Sequence, residues 1–147
     1  MTEAIREQVL AALQNDWAAY IECFHCLAPE AQAAFLAGQG YARLADLLAH
    51  VIAWWTEGSH AVETLLVDPE AGSPDYDVDA FNAQAVFGVR DVDETAVGES
   101  FETMRRRMLE LVMNLPAAAF RNKRIVDRLQ IEVIGHFSEH ALPEGQG

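Results

Sequence analysis

Two histidines near the C-terminal end of the sequence have the spacing of metal ligands. In Gly135-His136-Phe137-Ser138-Glu139-His140 they stand four residues apart, so on a helix both imidazoles project from one face about one turn apart. A third, His50, falls in the middle of an apolar helical face beside Leu47, Val51 and Trp54, where a purely structural design would take another leucine. Three neutral imidazoles hold a divalent ion and leave positions for water or substrate, as catalytic rather than structural sites do. Zinc or nickel suits such a set. The competing reading is three buried histidines satisfied by neighbours or water.

Other residues extend this chemistry, each with a plainer alternative. Glu57 lies seven residues after His50 and Glu132 four before His136. Both are placed to serve as base, fourth ligand or orienting group. Glu57 is the catalytic candidate, two turns along the face that carries His50; the alternative is a solvated carboxylate on a helix flank. Trp54, Trp55 and Phe137 are candidates for the wall of a substrate pocket, although aromatic residues at helical spacing are more often core. Cys23-Phe24-His25-Cys26 is formally a C-x-x-C element. Its redox form accompanies a strand and helix arrangement, and a structural zinc needs four ligands, so two partly buried thiols are expected. His60, ten residues past His50, turns to a different side and reads as surface. The basic groups Arg105, Arg106 and Arg107, and Arg121, Lys123, Arg124 and Arg128, are expected to face water and answer neighbouring acids.

Hydrophobic spacing supplies the elements that must position these groups. Ile5, Val9, Leu13, Trp17, Tyr20, Ile21 and Phe24 recur at steps of three and four, predicting a first helix over Thr2 to Leu27. Pro29, Gly38 and Gly40 interrupt the pattern. It resumes from Leu44 through Val51, Trp55 and Val62 and ends near Val67. Asp68 to Asp79 collects Pro69, Gly72, Pro74 and five acidic residues and reads as an exposed loop. A short helix is predicted over Phe81 to Val89. A third long helix follows Asp93 as N-cap and closes at Pro116, and a fourth runs from the cap Asn122 until Pro143. No useful strand alternation occurs. The expectation is an all-α chain folded as an antiparallel four-helix bundle, with a short extra helix between helices two and three.

Length and charge bound the partners. The 147 residues fit one domain over 1–147, and 51% apolar against 22% charged residues is a globular composition. A formal charge of −13 repels phosphate backbones and anionic lipid, so neither nucleic acid nor membrane is an expected partner. The longest uncharged stretch, Ala31 to Ala42, contains two glycines and is too short to span a bilayer. Met1 to Leu10 carries Glu3, Arg6 and Glu7 where a secretory signal needs an apolar run, so a soluble, cytoplasmic protein is expected.

The stretch Asp46-Leu47-Leu48-Ala49-His50-Val51-Ile52-Ala53-Trp54, the Phe81-Asn82 pair and His136-x-x-x-His140 together resemble the DinB/YfiT-like helical bundles of bacterial type, a family that includes metal-dependent thiol transferases. The resemblance covers nearly the whole chain. It implies a metal held by one histidine of the second helix and two of the last, which here are His50, His136 and His140. It also implies a low-molecular-weight thiol as cofactor and a small electrophile as substrate, with transferase or hydrolase activity. A homodimer belongs to a different reading, a bundle that pairs through an exposed apolar face. The His-Phe-Ser-Glu-His stretch is similar to the ClbS/DfsB branch too, which implies a metal-free protein that binds or neutralises reactive small molecules. A non-catalytic interaction bundle is the third reading.

Overall fold

The computed structural model describes residues 2–144 and is helical throughout, with no strand among the described residues. Helix α1 (Thr2–Ala11) passes into a π-helical turn (Ala12–Asp16) and, after a bend, into α2 (Tyr20–His25). The expected first helix is thus present but interrupted, and it stops two residues short of Leu27. Helix α3 (Pro29–Gln39) occupies the stretch that the spacing marks only as a break. Pro29 opens this helix at its first turn, where its missing N–H costs nothing, and Gly40 closes it with a left-handed φ of 83°. Most of its apolar residues are alanines and only Leu36 is fully buried, so it carries almost no periodic signal.

Helix α4 (Leu44–Val67) is the long central element. The acidic segment after it is exposed at every residue but Ala71 and Tyr76 before α5 (Val78–Gly88), the short extra helix, begins. Asp77 caps α5 by accepting from Ala80 N–H, and Asp93 caps α6 (Glu94–Asn114) in the same way through Ala96 N–H. A 3₁₀ turn (Ala117–Arg121) leads to α7 (Lys123–Leu129), which Asn122 caps through Arg124 N–H. The predicted fourth helix does not continue regularly to Pro143. It widens into a π turn (Gln130–Gly135) and ends as α8 (His136–Glu139).

Helix α4 packs against α5, α6, α7 and the second π turn, while α1 lies along α6. The fully buried side chains Leu13, Trp17, Leu47, Leu48, Trp55, Phe101, Met108 and Leu129 fill the space between them. Each such aliphatic or aromatic side chain contributes about 1.5–3 kcal/mol on burial, so this core, rather than exposed pairs such as Lys123 with Asp127, holds the helices together. Arg105 does not face water as expected: it reaches inward to Leu13 O at 3.0 Å while pairing with Glu102. No helix among the described residues is long and apolar enough to cross a membrane.

Candidate metal centre

His50 comes from the middle of α4, His136 from the first position of α8, and His140 from the residue that closes α8. One ring nitrogen from each lies within 4.8 Å of the others. All three side chains are buried, at 6%, 8% and 6% exposure. Their ring centroids are 5.3 Å (His50 to His136), 5.0 Å (His50 to His140) and 5.8 Å (His136 to His140) apart.

The hydrogen bonds around the rings fix which nitrogen is free. His50 Nδ1 lies 2.9 Å from Asn82 Oδ1, which also accepts the Trp54 indole N–H at 2.7 Å. An indole nitrogen only donates, so this amide atom is the acceptor and His50 must donate from Nδ1. His140 Nδ1 is 2.6 Å from Gln39 Oε1, and the Gln39 amide nitrogen donates to Glu139 O. A backbone carbonyl only accepts, which sets the amide orientation and makes His140 Nδ1 the donor. His136 Nδ1 donates directly to a backbone carbonyl, Glu132 O, at 2.9 Å. With all three Nδ1 protons committed, the lone pairs reside on the Nε2 atoms. That pattern, an outer acceptor on one nitrogen and a bare lone pair on the other, orients histidine ligands in metal sites.

The local fold explains the His136 contact. In the π turn the backbone N–H of His136 bonds to Ile131 O, one residue further back than in an α-helix. The Glu132 carbonyl therefore takes side-chain donors, His136 Nδ1–H and the Trp55 indole N–H at 2.7 Å. The adjacent Val133 carbonyl accepts the Trp17 indole at 2.9 Å. Two tryptophans thus stabilise the irregular turn that aims the last two histidines.

Burial, reinforced by the neighbouring imidazoles, pushes His50 and His140 down to about 4, and burial also lowers His136. All three are then neutral near pH 7, the form that ligates. His140 Nε2 is buried without a hydrogen-bond partner, a condition that costs about 1–3 kcal/mol unless something fills it. These residues fit a divalent ion of the zinc or nickel type, for which imidazole is a suitable ligand. Magnesium and calcium, which need several oxygen ligands, do not fit this set.

Glu132 supports the centre from behind. Its carboxylate is buried, receives Arg128 Nε–H at 2.8 Å and lies 3.4 Å from His136 Nδ1. Burial pushes it up to about 7, against the opposing pull of Arg128. The room for it comes from Gly58 on α4: a Cβ there would stand 2.8 Å from Glu132 Cγ. Arg128, expected to be solvated, is instead half-buried in this arrangement.

Beside the centre opens a cleft of about 760 Å³ whose wall includes Gln39, Tyr41 and Asn82. Gln39 and Asn82 are the acceptors that hold His140 and His50, and the Tyr41 ring lies 5.7 Å from His50. The remaining candidates separate. Trp54 packs between Tyr76 and Phe81 and joins His50 through Asn82. Trp55 is no pocket wall: it is fully buried against Trp17 and Phe101. Phe137 turns the other way, against Trp17 and Tyr20. Glu57 is not among the three clustered ligands; it accepts from Tyr76 O–H at 2.9 Å and lines a different cavity of about 460 Å³ with His60 and Arg128. His60 is exposed as expected, whereas both cysteines are exposed rather than partly buried.

Gln39, Tyr41 and Asn82 carry no local sequence pattern that marks them for the site. Asn82 was visible only as half of the Phe81-Asn82 pair, and Gln39 lies between two glycines in a stretch without periodicity. The fold and the site together define an all-helical protein with a three-histidine centre. No protein-family model, curated protein or solved structure matches the chain.

Proposed function

We propose that the chain is a metal-dependent protein of the DinB/YfiT-like class, an antiparallel four-helix bundle with a divalent ion at His50, His136 and His140. Its reaction moves a low-molecular-weight thiol, or water, onto a small electrophile. The observation that carries the ion is the convergence of three neutral imidazoles whose Nδ1 protons are all donated outward, with one inner nitrogen left unpartnered. The thiol and the electrophile rest on the sequence resemblance.

When bound, the ion supplies Lewis acidity that favours thiolate or hydroxide at neutral pH. The chain's own residues do the rest. Asn82, Gln39 and the Glu132 carbonyl keep the three rings from rotating. The cleft walled by Tyr41 and Asn82 gives a small molecule a place beside His50, and the burial of the rings keeps bulk water away from them.

Elemental analysis of protein purified without an affinity tag tests this reading. Near-stoichiometric zinc or nickel, lost in both His136→Ala and His140→Ala, is the expected result. No metal above background in the parent protein overturns it and leaves a metal-free binder or an interaction bundle. Thermal shifts with thiols and electrophiles then separate those two.

A further inference from the structure

The two cysteines line a groove that meets α8 at Phe137 and includes none of the three histidines. Cys23 is in the last turn of α2 and Cys26 closes that helix. Both are exposed, and both line one groove of about 350 Å³ whose other walls include Tyr20, Leu27, Phe137 and Leu142. Residues three apart on a helix have Cα atoms about 5 Å apart, inside the window of about 4.4–6.8 Å that disulfides use. The Cys26 N–H bonds to Cys23 O at 3.2 Å as well as to Glu22 O, so the turn is already tightened between the two thiols. Residues 26–28 lie outside any helix, before Pro29 opens α3, so a disulfide at Cys26 does not have to bend a continuing helix. No other cysteine exists in the chain, so this is the sole intrachain pairing.

We propose that Cys23 and Cys26 form an exchanging dithiol that reduces small organic disulfides seated in this groove. One cysteine thiolate attacks a sulfur of the bound disulfide, whose S–S bond breaks and releases one thiolate, which takes up a proton. The second cysteine thiolate then attacks the protein sulfur of the mixed disulfide and expels the other half. Two electrons pass from the two cysteines to the ligand: one intrachain disulfide forms and two small thiols leave. Apart from Asp16, whose carboxylate repels an anionic body, the walls beside the cysteines are mainly apolar and select a disulfide with an aromatic or aliphatic body over one bearing carboxylates. This site is independent of any ion at the histidines.

Reaction of the full chain with one equivalent of 4,4′-dithiodipyridine tests the exchange. Closure releases two equivalents of pyridinethione and leaves the protein about 2 Da lighter with no adduct; dithiothreitol reverses it. Cys23→Ser and Cys26→Ser each release one equivalent and keep a pyridyl adduct. A parent protein that retains adducts, or links into dimers, overturns the proposal. For the groove, rates with dithiodipyridine and with cystine are each divided by the corresponding rate for dithiothreitol. A preference for the aromatic reagent of about tenfold is expected from apolar recognition; equal normalised rates overturn the assigned substrate class.

Discussion

Two polar clusters lie side by side in this protein, the first buried and the second partly so. In the first, His50, His136 and His140 turn every donated proton outward and bring like acceptors together. In the second, Arg128 is paired with Glu132 and contacts Tyr76, and Tyr76 donates to Glu57, so opposite partners answer one another. Each cluster contains one buried atom without a partner, His140 Nε2 in the first and Arg128 Nη2 in the second. The consequences differ. A guanidinium with one idle N–H still has a carboxylate beside it, whereas converging lone pairs offer a place for a cation. Burial alone therefore does not mark a metal centre; the direction of the donors does.

The largest effects expected separate the two clusters. His50→Ala removes one of three ligands and eliminates stoichiometric metal, while Glu57→Gln leaves metal content unchanged, both read by elemental analysis. A loss of metal in Glu57→Gln would merge the clusters into one site. Next in size is Asn82→Ala, which frees the His50 ring without removing a ligand; metal affinity falls about 10–100-fold in competition titrations. An unchanged affinity would show that the outer acceptor does not orient the ring.

Gly58→Ala probes the second cluster. The added methyl displaces the Glu132 carboxylate, with an overpacking cost of about 1–3 kcal/mol against a helix-propensity gain of about 1 kcal/mol. Net destabilisation in urea unfolding is expected; a stabilised variant would mean that Glu132 moves freely.

The smallest effect is a difference in pH response of metal-free protein. The histidines have folded values below their ordinary 6.5, so the unfolded chain binds more protons between about 4 and 6.5. Their contribution to stability is complete above that window and is lost as pH falls through it. Glu132, raised from 4.5 to about 7, has the opposite sign: its contribution is present below 4.5 and is lost as pH rises through about 7. Glu132→Gln removes that opposing part, so stability rises more steeply from pH 4.5 to 6.5 than in the parent, as followed by thermal unfolding. A shallower rise would reverse the assignment.

The helices that carry the centre were legible because their apolar residues repeat at helical spacing over long runs, as from Leu44 to Leu65, and because Asp93 and Asn122 cap where short polar side chains should. The three histidines followed from type and position. Helix α3 was hidden by alanines that bury little. Gln39 and Asn82 were hidden for another reason: a hydrogen-bond acceptor brought in from a different helix leaves no trace in local spacing. Trp55 shows the converse, since an indole on a helical face looks the same in sequence whether it walls a pocket or plugs a backbone carbonyl.

The π turn at residues 130–135 also acts as an indexing step. One additional residue within a helix turns everything downstream by about 100° around the axis. Leu129 upstream points into the core; in an unbroken α-helix His136, seven residues on, would share its face, and the added residue swings both imidazoles off that face. The bearing of the pair is thus set by a single surplus residue, held in place by the indoles of Trp17 and Trp55.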